Sequence, residues 1–354
     1  WLAEPNPVEK NIKNAKYKLD QLVSFRVPYY VGPMITLADQ QKTSKASFAW
    51  AVRKETGKIT PWNFDEKIDR EKSANNFIKR MTNKDTYLLS EDVLPASSLL
   101  YQKFTVLNEL NNIRVNGRKL QPALKQAIYT DLFQKRKTVN LKALTNFLTV
   151  HEPTLTKPKI EGLANGRSFN SSLGTYIDMS KILGDRVDDL NYRDDIEKII
   201  EWSTVFEDSE IYGVKLQEIQ WLTNEQREKL VRKRYQGWGR LSKKLLTGIT
   251  DENGQRIIDL MWDTNKNFMQ IVHQPVFEEQ ITELNQQLLQ DADKAPLEVV
   301  DDILADAYTS PQNKKAIRQV VKVVADVVKA VGNAPASISI EFARNEDRNK
   351  ELKN

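Results

Sequence analysis

Apolar residues recur in this chain at intervals of three and four, the spacing that lays them along one side of an α-helix. Leu100, Phe104, Leu107 and Leu110 form one such row, Leu124, Ala127, Ile128 and Leu132 another, and Ile317, Val320, Val324, Val327 and Val331 a third. Boundary signals agree with the rows. Thr223 with Gln226 three residues on makes a capping box around the start of "REKLVRKR", and Ser310-Pro311 opens a helix that Gly332 stops. Two stretches depart from the helical period. In "NIRVNGRKL" the Asn116-Gly117 step predicts a small hairpin. Near the end, Ile338, Ile340 and Phe342 alternate with Ser337, Ser339 and Glu341, a period of two that predicts a short strand turning Glu341 away from its apolar face. The expected fold class is predominantly α, a multi-helix domain followed by a smaller helix-and-strand piece of different architecture.

The 354 residues suffice for two or three domains, each with its own core. Residues 1–82 hold helices around the loops "VPYYVGPM" and "TGKITPWNF", where Tyr29, Tyr30 and Trp62 need partners for their polar edges if buried. Residues 83–292 form a helical array. "LLQDADKAPLEVV" reads as a linker, and residues 293–354 carry the closing helix and strand. No repeat of fixed period and no low-complexity segment stands out. The chain opens on Trp1 within polar sequence and contains neither a membrane-length apolar stretch nor a signal-peptide pattern, so it reads as a soluble piece of something longer.

Cysteine is absent, which excludes a disulfide framework, a thiolate zinc site and a cysteine nucleophile, and fits a reducing cytoplasm. With only His151 and His273, any metal must rely on oxygen ligands. The formal charge of +5 is a small excess of 53 basic over 48 acidic residues, so distribution says more than the total. Residues 185–210 are acidic, whereas Arg227 to Lys244 is dense in Arg and Lys with Tyr235 and Trp238 among them, a clustering that suits a polyanion.

In "RKRYQGWGRLSKK", Arg232, Lys233 and Arg234 could meet successive phosphates, Gly237 and Gly239 could let backbone approach a ligand, and Trp238 could pack on a sugar or base. The plainer alternative is a solvated helix end with a glycine cap and Trp238 in the core, and spacing alone favours it. In "NKNFMQIVHQP", Asn267, Gln270 and His273 share a helix face and could bond a sugar-phosphate backbone, although ordinary surface amides are the commoner case. Glu341 by itself could be a surface glutamate paired with Arg344. There is no phosphate-cradling G-x-x-x-x-G-K-[ST], "DENGQRIID" has only the opening of a calcium loop, and no serine, histidine and aspartate set is evident.

Nine blocks, in order, go further. These are "FRVPYYVGP" at 25–33, "FAW" at 48–50, "TPWNFDE" at 60–66, "RMTNKD" at 80–85, "VLPASSLLYQKFTVLNEL" at 93–110, "FNSSLGTY" at 169–176, "RYQGWGRLSKKL" at 234–245, "NFMQIVH" at 267–273 and "ISIEFAR" at 338–344. Together they closely resemble the CRISPR type II effector, the RNA-guided DNA endonuclease with RuvC-like and HNH nuclease domains, across essentially the whole chain. The resemblance implies the end of a first helical recognition domain at 1–82, a hybrid-sensing helical recognition domain at 83–292, and the middle segment of an RNase H-like RuvC α/β domain at 293–354.

Glu341 then stands where the middle RuvC segment contributes its metal ligand, for Mg2+ in the full-length parent. The first and third RuvC stretches, the HNH domain and the PAM-reading domain are not among these blocks, so the resemblance implies a chain that binds magnesium poorly and cleaves nothing alone. Its implied partners are guide RNA, as CRISPR RNA with trans-activating RNA, the target DNA strand as an RNA:DNA hybrid, and the remaining domains of the parent, in a bacterial cytoplasm and at no membrane. The implied backbone-contacting residues are Arg26, Tyr29, Asn83, Tyr101, Trp238, Arg240, Gln270 and His273, which reverses the plainer readings of the two motifs. Ala96 stands where some family members carry a basic residue. A standalone helical nucleic-acid-binding module and a helical protein-interaction scaffold remain the alternatives from other classes.

Overall fold

The computed structural model describes residues 24–25, 35–36, 52–55, 59–60, 62–152, 158–163, 166–206, 209–290, 300, 304 and 311–333. The chain forms two compact units, Trp1–Leu288 and Leu289–Asn354. Both are described mainly by helices, as the three-and-four rows predict. In the first unit, the two-residue strands β1 (Ser24–Phe25), β2 (Ile35–Thr36), β3 (Val52–Arg53) and β4 (Ile68–Asp69) pair as two antiparallel ribbons, with α1 (Phe64–Lys67) before β4. Then come α2 (Arg70–Met81) and α3 (Leu99–Leu110), the hairpin β5 (Arg114–Val115) and β6 (Arg118–Lys119), α4 (Pro122–Ile128), α5 (Leu141–His151) and β7 (Ile160–Glu161). The series continues with α6 (Gly174–Leu183), α7 (Arg193–Val205), α8 (Ser209–Gln217), α9 (Asn224–Val231), α10 (Lys243–Thr247), α11 (Ile257–Asp263), α12 (Phe268–Val272) and α13 (Pro275–Gln290). The second unit is represented by α14 (Pro311–Val331).

Two hydrophobic cores lie within the first unit. One joins α3, α4 and α5 to α10 through α13, with Leu107, Leu110, Ile128, Leu148, Met261 and Phe277 buried together. The other joins α1 and α2 to α6 through α9, through Phe64, Ala74, Ile196, Ile200, Tyr212 and Leu230. Helix α3 serves both, with Leu99 in the second core and Leu107 and Leu110 in the first.

Each end of α3 is tied down by polar groups that satisfy otherwise orphaned backbone atoms. At its start the Ser98 hydroxyl accepts from the Tyr101 amide at 3.2 Å, and Glu197 Oε1 accepts from the Leu100 amide at 3.0 Å. At its end Asn111 donates through Nδ2 to the carbonyls of Met261 (2.9 Å) and Lys266 (2.7 Å). Buried Lys125 donates to Asn111 Oδ1 at 3.0 Å, to the Met261 carbonyl at 2.6 Å and to the Thr264 carbonyl. Burial pushes the Lys125 ammonium down to about 8, against the opposing pull of Asp263. A cation at the end of α11 also complements the negative pole of that helix.

The local signals hold. Thr223 and Gln226 form both halves of the capping box on α9. The Gly332 amide closes α14 on the Val328 carbonyl at 2.8 Å. Asn116 and Gly117 take φ of 50° and 78°, the two positive values that a tight hairpin turn between β5 and β6 demands. Strand β7 adds to the other edge of β5, a pairing no local signal marked. Trp62 is 61% exposed, so it is not a core residue. Tyr29, Tyr30 and the strand expected around Glu341 lie outside the described residues.

Helix α11 shows how an exposed pair supports this framework. Arg256 grips Asp259 with two bonds, Nε to Oδ2 at 2.5 Å and Nη2 to Oδ1 at 2.8 Å, across the helix N-terminus. The guanidinium holds the Asp259 carboxyl below its ordinary value of 3.8, although partial burial opposes it. A depressed folded-state pKa contributes stability above the unfolded value, and that contribution is lost as pH falls through the folded one. Urea unfolding at about pH 6 and about pH 3 is therefore expected to show a smaller pH difference in stability for Asp259→Asn than for the parent chain.

Candidate nucleic-acid interface

The segment 237–241 crosses the approach to α3 as a strap. The Ala96 amide donates to the Gly237 carbonyl at 3.0 Å, the Gly239 amide to the Leu94 carbonyl at 2.7 Å, and the Leu94 amide to the Leu241 carbonyl at 3.0 Å, with a bridge between Pro95 and Trp238. Beside it, buried Asp85 accepts from the amides of Tyr87 (2.7 Å), Leu88 (3.3 Å) and Ser242. This fastens residues 85–88 to the end of the strap. A Cβ on Gly239 would stand 2.5 Å from Cε2 of Tyr101 and 2.9 Å from the Leu94 oxygen, so only glycine lets the strap lie this close to α3.

That closeness fixes Arg240. Its amide donates to the Tyr101 hydroxyl at 3.1 Å, and its carbonyl accepts from Thr86 through both the amide and the hydroxyl at 3.3 Å. The backbone is held on both sides while the exposed guanidinium has no partner among the described residues. Most of the surrounding basic run is engaged elsewhere. Arg234 donates to the carbonyls of Val231 and Lys233 and to Ser209 Oγ, lying over the Tyr212 ring, and Lys233 pairs with Asp178 at 3.3 Å. Lys243 pairs with Asp194 and Lys244 with Glu91. Three successive basic residues meeting successive phosphates is thus not what the fold offers, because two of the three are turned to protein partners. Arg232 and Arg240 are the exposed guanidinium groups left over in this run.

A second strip is built on α12. Asn267 and Gln270 exchange capping-box bonds, the Gln270 amide to Asn267 Oδ1 at 3.0 Å and the Asn267 amide to Gln270 Oε1 at 3.1 Å. Lys119 also donates to Gln270 Oε1 at 3.0 Å and to the Asn265 carbonyl at 2.7 Å. With its oxygen doubly engaged, Gln270 has its Nε2 donor left over, on an exposed residue. Asn267 donates to Asn112 Oδ1 at 2.8 Å, and the Phe268 amide to Asn108 Oδ1 at 3.0 Å. The expected single face of Asn267, Gln270 and His273 becomes a five-residue helix in which Asn267 is the N-cap and His273 the C-cap. His273 Nδ1 lies 2.7 Å from Glu278 Oε1, which orients the exposed ring.

Four rings join the strips. Tyr101 packs on Phe104 (centroids 5.5 Å apart), Phe104 edge-to-face on Phe268 (5.3 Å), and Phe268 on Tyr87 (5.4 Å), whose hydroxyl meets Met269 Sδ at 3.5 Å. Tyr101, Phe104 and Asn108 share one face of α3, and the seven positions from Tyr101 to Asn108 set the two anchor points about 10 Å apart along its axis. Asn83 is exposed beside this assembly, its carbonyl accepting from the Val93 amide at 3.0 Å, and Trp238 is half-buried at its bridge to Pro95. Of the sequence-derived site residues, Asn83, Tyr101, Trp238, Arg240, Gln270 and His273 are described, and Tyr101 and Arg240 touch directly. Arg26, Tyr29 and Glu341 lie outside the described residues. Tyr87, Thr86, Asn108 and Lys119 carry positioning contacts that sequence reasoning misses; their partners lie 151 to 182 residues away in the chain, beyond any local pattern. Among the described residues no group of three or more His, Cys, Asp or Glu is placed to hold a metal ion, and no helix is long and apolar enough to cross a membrane.

A helical scaffold that clamps backbone and displays unpaired donors defines a class of surface suited to a sugar-phosphate backbone. Sequence comparison gives the family. Over residues 5–286 the chain matches the REC lobe of CRISPR-associated endonuclease Cas9, and it belongs to that family. It is 38% identical over 341 residues to a CRISPR-associated endonuclease Cas9 of Streptococcus mutans serotype c, and 38% identical over 340 residues to one of Listeria innocua serovar 6a. Each match takes in 92% of this chain and 24% of the relative, so the chain spans about a quarter of the length of these curated relatives.

The strap geometry makes a paired prediction. Gly239→Ala forces the strap off Tyr101 and is expected to cost about 1–3 kcal/mol, as overpacking does. Tyr101→Phe removes only the hydroxyl and is expected to cost about 1 kcal/mol. Urea denaturation of the two variants checks the order; equal and negligible effects would mean that the strap is not held in this way.

Proposed function

We propose that this chain is the part of a CRISPR RNA-guided DNA endonuclease that clasps the guide RNA:target DNA hybrid by its backbone and couples correct pairing to nuclease activation in antiviral defence. The observation that carries the proposal is Arg240, whose backbone is fixed by Tyr101 and Thr86 while its guanidinium is left for an outside anion. Gln270 adds a neutral donor on α12, which is anchored at Asn108, seven residues along α3 from Tyr101. Donors fixed in this way read shape and charge along a backbone and not base edges, which is the division of labour between protein and guide in RNA-guided recognition. A distorted hybrid would lose several weak contacts together, so pairing errors would register as poorer fit.

The partners proposed are CRISPR RNA with trans-activating RNA, the target DNA strand, and the remaining domains of the endonuclease. Magnesium-dependent cleavage is proposed for the longer protein, with Glu341 as one RuvC ligand beside carboxylates from other stretches, and this chain alone is proposed to cleave nothing. Residues 293–354 are proposed as the middle RuvC segment. The family membership favours hybrid binding over a protein-interaction scaffold, and the outward donors Arg240 and Gln270 suit a sugar-phosphate backbone.

Fluorescence anisotropy against an RNA:DNA hybrid of about 20 base pairs, the matching DNA duplex and each single strand tests the proposal over about 50–200 mM salt. The hybrid is expected to bind tightest, with affinity falling steeply as salt rises. Arg240→Ala is expected to weaken it about tenfold, equally for all matched sequences, and to lower the salt slope by about one. Equal weak binding to all four nucleic acids, or a loss confined to certain sequences, would contradict it.

A further inference from the structure

Helices α3 and α7 run side by side in opposite directions. Ser97, just before α3, meets Thr204 hydroxyl to hydroxyl at 3.0 Å, and the Leu100 amide meets Glu197 Oε1 at 3.0 Å, so positions fall along one helix as they rise along the other. One turn further, Lys103 on α3 comes opposite Arg193 at the start of α7. The pair stands where the two cores adjoin, since Trp262 beside Lys103 packs on the larger core and α7 builds the second.

Neither cation has a bonded partner within the described fold. The Lys103 ammonium stands 4.9 Å from the centroid of the Trp262 ring and makes no hydrogen bond or ion pair among the described residues. Arg193 likewise bonds to none of them, and its Nε is buried. A third donor lies with these two. Tyr129, which follows α4 directly, packs edge-to-face with the same Trp262 ring at 5.1 Å and is 8% exposed, and its hydroxyl also lacks an acceptor among the described residues. Buried donors are nearly always satisfied, so three on one seam call for an acceptor from outside the chain.

Four carboxylates come near, and none bonds to these three groups. Asp259 is gripped by Arg256, Asp188 accepts from the Tyr176 hydroxyl at 3.0 Å, Glu197 accepts from the Leu100 amide, and Asp263 is exposed. Burial pushes the Lys103 ammonium down, opposed by Asp259 and Asp263 and aided by Arg193 and Arg256. Burial also pushes the Glu197 carboxyl up, against its backbone bonds and Arg193, which makes it a poor counter-charge for that guanidinium.

We propose that Lys103, Tyr129 and Arg193 form a binding site for a small free oxyanion of the phosphate or sulfate type, which bridges α3 to α7 and so ties the two cores together. Ammonium, guanidinium and hydroxyl are the donors such an anion takes, and its several oxygens can accept from all three at once. Both cations are half-buried, so the anion enters from solvent. Lys103 lies two positions from Tyr101, on the opposite side of α3, which separates this site from the nucleic-acid interface.

Thermal unfolding of the chain tests the site, with phosphate and then sulfate replacing chloride at constant ionic strength. For a Kd of about 1 mM, about 10 mM phosphate is expected to raise Tm by about 2 °C, saturably, in the parent chain and equally in Arg240→Gln, which changes the nucleic-acid interface alone. Lys103→Gln and Arg193→Gln are expected to lose the shift. Tyr129→Phe, which keeps the ring on Trp262 and removes only the hydroxyl, is expected to reduce it. General exclusion of these anions from protein surface raises Tm without saturating and does so alike in every variant. A shift of that kind, no shift in the parent chain, or a shift lost in Arg240→Gln and kept in Arg193→Gln would overturn the proposal.

Discussion

Everything at the candidate interface depends on how α3 is held at its two ends. A helix that sat loosely between two cores could not set the spacing of groups anchored on it. Here the start is pinned by Ser98 and Glu197, which accept from backbone amides that a helix start leaves orphaned, and the end by Asn111, which takes a bond from Lys125 and donates to the Met261 carbonyl. The same end contacts reach the carbonyls of Met261, Thr264 and Lys266, so the turn that launches α12 is fixed by the atoms that finish α3. At the other end the Tyr101 hydroxyl receives the Arg240 amide. Two pieces of chain far apart in sequence thereby take their relative position from one twelve-residue helix.

The division of charge follows from the same economy. A run rich in Arg and Lys would be a poor guide to function if every cation were free, since solvated charges are the common case. Lys233, Arg234, Lys243 and Lys244 instead spend themselves on Asp178, backbone carbonyls, Asp194 and Glu91. These contacts place the strap. What remains outward is a small number of donors whose backbones cannot move far, and preorganised donors lose less on binding than mobile ones. Gln270 follows the same rule, since its oxygen is used within the fold and its amino group is not.

Helices, the Thr223 and Gln226 capping box, the Asn116-Gly117 hairpin and the stop at Gly332 were all legible in the sequence, because each is decided within a few residues by periodicity, capping or φ preference. The blocks "RYQGWGRLSKKL" and "NFMQIVH" were legible as candidate site segments through resemblance, but spacing alone favoured plainer readings of both. What local pattern could not reveal is pairing across the fold. Nothing in "FTVLNELNN" announces that Asn111 will meet Met261, and nothing in the basic run says which cations Asp178 and Asp194 will claim. The β7 strand joined β5 for the same reason, from a partner more than forty residues distant. Gly239 is intermediate: its need is a close approach to Tyr101, which becomes visible only when the strap and α3 are seen together.

The central claim is that α3 presents two strips, one on the strap and one on α12, as a single surface for a nucleic-acid backbone. Hydrogen–deuterium exchange of the chain with and without an RNA:DNA hybrid tests it most directly, because protection is read along the whole sequence at once. The account predicts added protection at residues 83–87, 237–241 and 267–273 together, with the acidic surface around Asp185 and Asp189 unchanged. Protection confined to one of the three segments, or spread over faces remote from α3, would contradict it.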